Sequence, residues 1–199
     1  YRFWIPAVKS EELDNMIALQ AESRFPLPAE QIELAWRADE TVDGQTFVTV
    51  AVARKDILEN FVAKVKSIKP AKIILDCQGV VTVWQKLFTP AAADAVVISI
   101  GSKNCQVCLV NRNVLVNTVN LDINLEDFSG NEHIAECFIQ DITSTLAMFE
   151  AVGLPIFLLS DGNEQIEKIV SLLKSNGLEA EVSLPVINDP EVNSHLSIE

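Results

Sequence analysis

The spacing of apolar residues divides the chain into short runs and longer periodic stretches that alternate, the pattern of an α/β protein. Phe3–Val8 predicts a short strand. Ser10 is placed to cap the helix that follows, with Glu11 and Glu12 in a first turn where the helix dipole favours acids. Leu13, Met16, Ile17 and Ala21 recur on one helical face, and Pro26 and Pro28 end the run. Ile32–Arg37 and Thr46–Ala53 predict two strands, separated by a turn at Asp43-Gly44. The second of them, TFVTVAVA, alternates and is rich in β-branched residues. Asp56 is placed to cap another helix, on which Ile57, Leu58, Phe61, Val65 and Ile68 make one apolar stripe. Lys72–Cys77 predicts a buried-type strand and Gly79–Phe88 a helix, a pair suited to extending a neighbouring sheet.

Three strands follow in succession, Ala95–Ile100, Cys105–Val110 and Val114–Leu121. The turns between them, Gly101–Asn104 and Asn111–Asn113, are tight and predict a meander. Residues 132–151 predict a long helix with Ile134, Phe138, Ile142, Leu146 and Phe149 inward. Pro155–Ser160 reads as a strand, and 164–175 as a helix burying Ile166, Ile169, Val170 and Leu173. Asn176-Gly177 ends that helix with a glycine at the C′ position, where a left-handed backbone is needed. Residues 179–184 predict a last strand, and the tail beyond is polar. Breaks at Lys69-Pro70 and Thr89–Asp94 give three segments. Residues 1–68 are a small α+β subdomain, 69–94 a strand, helix and link of a first lobe, and 95–199 a second lobe. The order βββαβαβ in the last segment fits a ribonuclease-H-type fold.

Composition narrows the function classes. The 199 residues are 49% hydrophobic and 22% charged, enough apolar content for a packed core. A net charge of −13 repels phosphate backbones and anionic headgroups, which argues against nucleic acid and membrane surfaces as partners. No apolar run reaches the roughly 18 residues of a membrane span, so no direct membrane insertion is expected. Tyr1 in place of an initiator methionine points to an internal segment of a longer protein.

Candidate chemistry is sparse. Cys105 and Cys108 have C-x-x-C spacing, but on a strand such a pair points to opposite faces and cannot converge on a metal. With Cys77 and Cys137 they read as ordinary reduced thiols, and no metal is expected. His133 and His195 have no nucleophile paired in sequence and read as surface residues. Asp122, Glu126 and Asp127 lack the spacing of a calcium loop and read as turn and cap residues, as does Asp161-Gly162-Asn163. Trp4, Trp36 and Trp84 are expected chiefly as core anchors.

The chain resembles the actin-like pilus assembly family of PilM, related to the cell-division protein FtsA. Three stretches carry the resemblance. Glu11–Pro28 (EELDNMIALQAESRFPLP) and the hairpin Ile32–Ala53 resemble the family's inserted subdomain. Val96–Ile123 (VVISIGSKNCQVCLVNRNVLVNTVNLDI) resembles its second-lobe meander, and Ile156–Gly162 (IFLLSDG) its adenosine-contacting strand and turn. The resemblance implies an actin-like fragment with a small inserted α+β subdomain, and a phosphate loop lying before Tyr1. It also implies a nucleotide site at Ser99, Gly101, Ser102 and Gly162. Ser99 stands where active members carry the Asp that organises Mg²⁺ and water, and a neutral hydroxyl cannot replace that carboxylate. Lys103 and Asn104 follow Ser102 where small residues are usual, and the adenosine turn has a single glycine. No ATP cofactor and no hydrolysis are therefore expected.

By the same resemblance the partner is the cytoplasmic tail of a PilN-like inner-membrane protein, held as an extended peptide near Phe3, Trp4, Phe25, Pro26 and Leu27. The implied protein is cytoplasmic, peripheral to the inner membrane, and capable of self-association. A GspL-like secretion component and an active actin-like ATPase or filament protein are the alternatives.

Overall fold

A computed structural model describes residues 2–88, 93–128, 132–160 and 164–182. The chain divides into two compact units, Tyr1–Ile73 and Ile74–Glu199.

The first unit contains β1 (Arg2–Pro6), α1 (Ser10–Arg24), β2 (Ile32–Val42), β3 (Gln45–Arg54) and α2 (Lys55–Val65). Its antiparallel sheet has the order β1-β3-β2. The alternating β3 sequence takes the centre, where it can pair on both edges. Asp43 and Gly44 both have positive φ, 50° and 74°, the backbone that a two-residue hairpin between right-twisted strands requires. Leu13, Met16 and Ile17 of α1 pack on Phe3, Ile5, Val48 and Val50. Trp36 Nε1 donates to Asp14 Oδ1 at 2.8 Å, a further tie between helix and sheet. Helix α1 starts at Ser10 itself, with Lys9 in the cap position. Likewise α2 starts at Lys55, so Asp56 lies inside its first turn, paired with Arg54, rather than capping it. No residue of α2 is buried.

The second unit runs α3 (Asp76–Leu87), β4 (Ala95–Ile100), β5 (Cys105–Asn111), β6 (Val114–Leu121), α4 (Glu132–Met148), β7 (Ile156–Ser160), α5 (Glu164–Ser175) and β8 (Ala180–Val182). The sheet order is β6-β5-β4-β7-β8. Strands β4, β5 and β6 form the expected antiparallel meander, while β7 runs parallel to β4 and β8 parallel to β7. Val96, Ile98 and Ile100 face α4 and α5, which contribute Phe138, Ile142, Leu146, Ile166, Ile169 and Leu173. On the other face Ala95 and Val97, with Phe157 and Leu159, pack against Cys77, Val81 and Trp84 of α3. A strand covered on both sides must be apolar at nearly every position, which is why β4 reads AVVISI.

Residues 69–94 depart from expectation. Lys72–Cys77 forms no strand; α3 already begins at Asp76, three residues before the predicted start, and Ile73, Ile74 and Leu75 are exposed. A β-branched run becomes a strand only when a neighbouring edge offers hydrogen bonds, and none of the strand pairings involves it. The helix that follows covers one face of the five-stranded sheet. The predicted 179–184 strand spans Ala180–Val182, and its remainder lies outside the described residues.

Candidate functional site

Two places carry the residues singled out from sequence. The first is the carboxyl end of β4. Ser99 sits on the α3 side of the strand, level with Leu159 of β7, and Ile100 is level with Ser160. Parallel pairing thus brings the Ser99-Ile100-Gly101 end beside the end of β7, as a nucleotide site requires. The backbone groups of Gly101 are already bonded, however. Gly101 N–H donates to Asn104 O at 3.0 Å and closes the β4–β5 turn, while Gly101 O accepts from Leu125 N at 2.9 Å. A phosphate cradle needs free backbone N–H groups, and this one belongs to the hairpin. Ser102, Lys103 and Asn104 are exposed at its tip. Gly162 and Asp161 lie outside the described residues.

The second place is the three-stranded sheet of the first unit. Phe3 and Trp4, grouped from sequence as one surface, point to opposite faces of β1, because successive strand side chains alternate. Phe3 is buried against α1, with the Arg24 guanidinium 5.0 Å above its ring. Phe25 and Leu27, half-buried, and the exposed Pro26 follow at the end of that helix, where Phe25 N–H donates to Ala21 O at 3.1 Å. Trp4 occupies the other face and remains 45% exposed, so it is not the core anchor it was expected to be. It stacks on its cross-strand partner Phe47, with centroids 4.6 Å apart and planes 28° apart. Of the five residues proposed for partner binding, Trp4 stands apart from the Phe3 and Phe25–Leu27 edge.

Around the Trp4–Phe47 stack lies a polar network that sequence reasoning missed. Arg2 sits 4.3 Å over the Phe47 ring, and its Nη2 donates to Asp39 Oδ2 at 3.2 Å. Arg37 Nε donates to Asp39 Oδ1 at 2.7 Å, and the Thr49 hydroxyl donates to Asp39 Oδ2. Burial pushes the Asp39 carboxyl up, but the Thr49 hydrogen bond and the two guanidinium groups outweigh it and hold the group below its ordinary value. A register shift between Ala38 and Glu40 inserts Asp39 as the extra residue of a β-bulge and turns it onto this face. The signal available in sequence was the register itself: pairing Trp4 with Phe47 and Arg37 with Thr49 would have put all of them on one side.

Elsewhere the chemistry is structural. Cys105 faces α4 and α5 and Cys108 faces α3, the opposed arrangement that strand geometry dictates. Burial pushes both thiols up to about 12. Asp127 accepts from Asn124 N–H and Asn124 from Glu126 N–H, ordinary turn bonding. His133 is an exposed residue in the first turn of α4. Among the described residues, no group of three His, Cys, Asp or Glu is placed to hold a metal ion. No helix among them is long and apolar enough to cross a membrane.

No protein-family profile matches the sequence, and no curated protein does. Solved structures do match. A PilM–PilN type IV pilus biogenesis complex aligns with 92% of this chain at a TM-score of 0.70 and 17% identity. A Bacteroides thetaiotaomicron protein with an actin-like ATPase fold aligns with all of it at a TM-score of 0.51 and 12% identity. The fold is actin-like. The cytoplasmic domain of EpsL, an inner-membrane component of the Vibrio cholerae type II secretion system, matches 94% of the chain at a TM-score of 0.50 and 13% identity. This actin-like chain spans 65%, 70% and 60% of those three structures respectively, so it corresponds to under two thirds of the first.

Proposed function

We propose that this chain is a non-catalytic, actin-like adaptor at the inner-membrane platform of a type IV pilus-like machine. It binds, in this reading, the cytoplasmic tail of a PilN-like membrane protein. The observation that carries the proposal is the extent of the fold match to the PilM–PilN complex, 92% of the chain at a TM-score of 0.70. The Ser99 end of β4 supports the non-catalytic part. It offers a hydroxyl where Mg²⁺ chemistry needs a carboxylate, and its one glycine N–H closes a hairpin. The EpsL match gives a GspL-like secretion component as the second reading, with the same platform role in a different machine.

The tail is expected to lie extended along the first unit, anchored either on the Trp4–Phe47 stack or on the Phe25–Leu27 edge. Titration of a synthetic tail peptide from the cognate membrane protein separates the two. Trp4→Ala or Phe25→Ala should weaken binding about tenfold or more, as removal of a central aromatic anchor does. Unchanged affinity in both folded variants would remove the assignment of this surface. Mg-ATP turnover by the full-length protein would overturn the non-catalytic reading.

A further inference from the structure

An asparagine is most open to attack by its own backbone when glycine follows it, because glycine has no side chain to shield the amide nitrogen. The sequence holds one such pair, Asn176-Gly177; each of the other asparagines precedes a residue that carries a side chain. The pair closes α5, and the cap engages both atoms that the reaction needs. Gly177 N, the nucleophile, donates to Lys174 O at 3.0 Å. Asn176 Nδ2, the leaving group, donates to Leu172 O at 2.9 Å. The N–H groups of Asn176 and Leu178 both donate to Leu173 O, at 3.1 and 3.0 Å, and fix the backbone on either side. Gly177 is held at φ 74°, the left-handed position that such a cap requires.

What the cap holds in place extends beyond the helix. Residues 176–179 are all that join α5 to the edge strand β8. Leu178 in this link packs against the core under α4 and α5. The link thereby sets where β8 pairs with β7, Ala180 opposite Ile156 and Val182 opposite Leu158.

We propose that Asn176 is a self-modification site, gated by the α5 cap and coupled to the pairing of β8. When the cap opens, Gly177 N attacks Cγ of the Asn176 side chain. The N–Cγ bond forms, the Cγ–Nδ2 bond breaks, and ammonia leaves with the proton of the Gly177 amide. Water then opens the succinimide ring at either carbonyl and gives aspartate or isoaspartate. Either product loses the bond to Leu172 O and puts a negative charge at the negative end of the α5 dipole. Isoaspartate also routes the main chain through the former side chain and adds a methylene to the short link. The bonds to Lys174 O and Leu173 O no longer form together, and β8 loses its register on β7. Nucleophile and electrophile both belong to the chain, so the reaction takes only water from outside.

The test is incubation of the purified protein beside a synthetic peptide of residues 174–179, with isoaspartate at position 176 followed by mass spectrometry. Conversion in the folded protein should be about tenfold or more slower than in the peptide, because local opening must precede it. Leu178→Ala leaves the reacting pair intact and loosens the link, so its rate should move toward that of the peptide; a thermal melt checks that it folds. In the aged protein, hydrogen exchange should show lost protection at residues 180–182 while β4 and β5 keep theirs. Asn176→Asp, which keeps the normal backbone, should retain most of the β8 protection. Conversion of the folded wild-type protein at the peptide's rate would overturn the gate. A folded Leu178→Ala protein without product after the peptide has fully reacted would overturn the site. Isoaspartate that leaves β8 as protected as before would overturn the coupling.

Discussion

Asp39 is the residue on which the outer face of the three-stranded sheet depends. It is one carboxylate serving two guanidinium groups and a hydroxyl, with only 11% of its side chain exposed. Asp39→Asn should cost about 1–3 kcal/mol, since it weakens charge-assisted hydrogen bonds and leaves Arg2 and Arg37 to repel each other. Because the folded pKa lies below the unfolded value of 3.8, the stabilisation is complete above that value and is lost as pH falls through the folded one. Thermal melts of the two proteins should therefore differ at neutral pH and converge in strong acid; a gap that persists there would contradict the network. The cysteines give a second prediction at this scale. Burial raises Cys77, Cys105 and Cys108, so these thiols should resist maleimide until the chain unfolds, whereas the partly exposed Cys137 should label in the native state. Mass spectrometry of the labelled peptides checks it.

At the scale of elements, the stop signal of α5 was legible, whereas helix starts were shifted and strand partners were the least legible. Gly177 was expected as a C′ residue, and it has φ 74°, with Leu178 N–H bonded to Leu173 O at 3.0 Å. Helix α4 ends in the same geometry, with Ala151 N–H on Leu146 O at 2.9 Å, but it places Glu150 at the left-handed position, φ 54°. Glu150→Gly should consequently stabilise the protein by about 0.5–1 kcal/mol, and Gly177→Ala should destabilise it by a similar amount. Denaturant midpoints measure both. The meander β4–β5–β6 was legible for a related reason: tight turns fix which runs pair. Lys72–Cys77 was misread because strand character there depends on a neighbouring edge that no local pattern reports. Phe3 and Trp4 were wrongly grouped because adjacency in sequence means opposition on a strand. The Trp4–Phe47 stack and the Asp39 bulge needed the register across two strands, which single-segment periodicity does not contain.

For the whole molecule, the actin-like fold brings the ends of β4 and β7 together, with Ser99 near the end of β4 and the Gly101 N–H bonded within the hairpin. Ser99→Asp alone should not create Mg-ATP turnover, because the Gly101 N–H remains bonded to Asn104 O in the hairpin. A phosphate-release assay of that variant should stay at the wild-type background. The central claim, an adaptor rather than a motor, is tested most directly by affinity purification of the tagged full-length protein from its native cell. The account predicts co-purification of a bitopic inner-membrane protein with a short cytoplasmic tail, together with a secretion-type ATPase, and recovery that depends on the Trp4 or Phe25 surface. Recovery of the protein alone, or as its own filaments with bound and hydrolysed ATP, would contradict it.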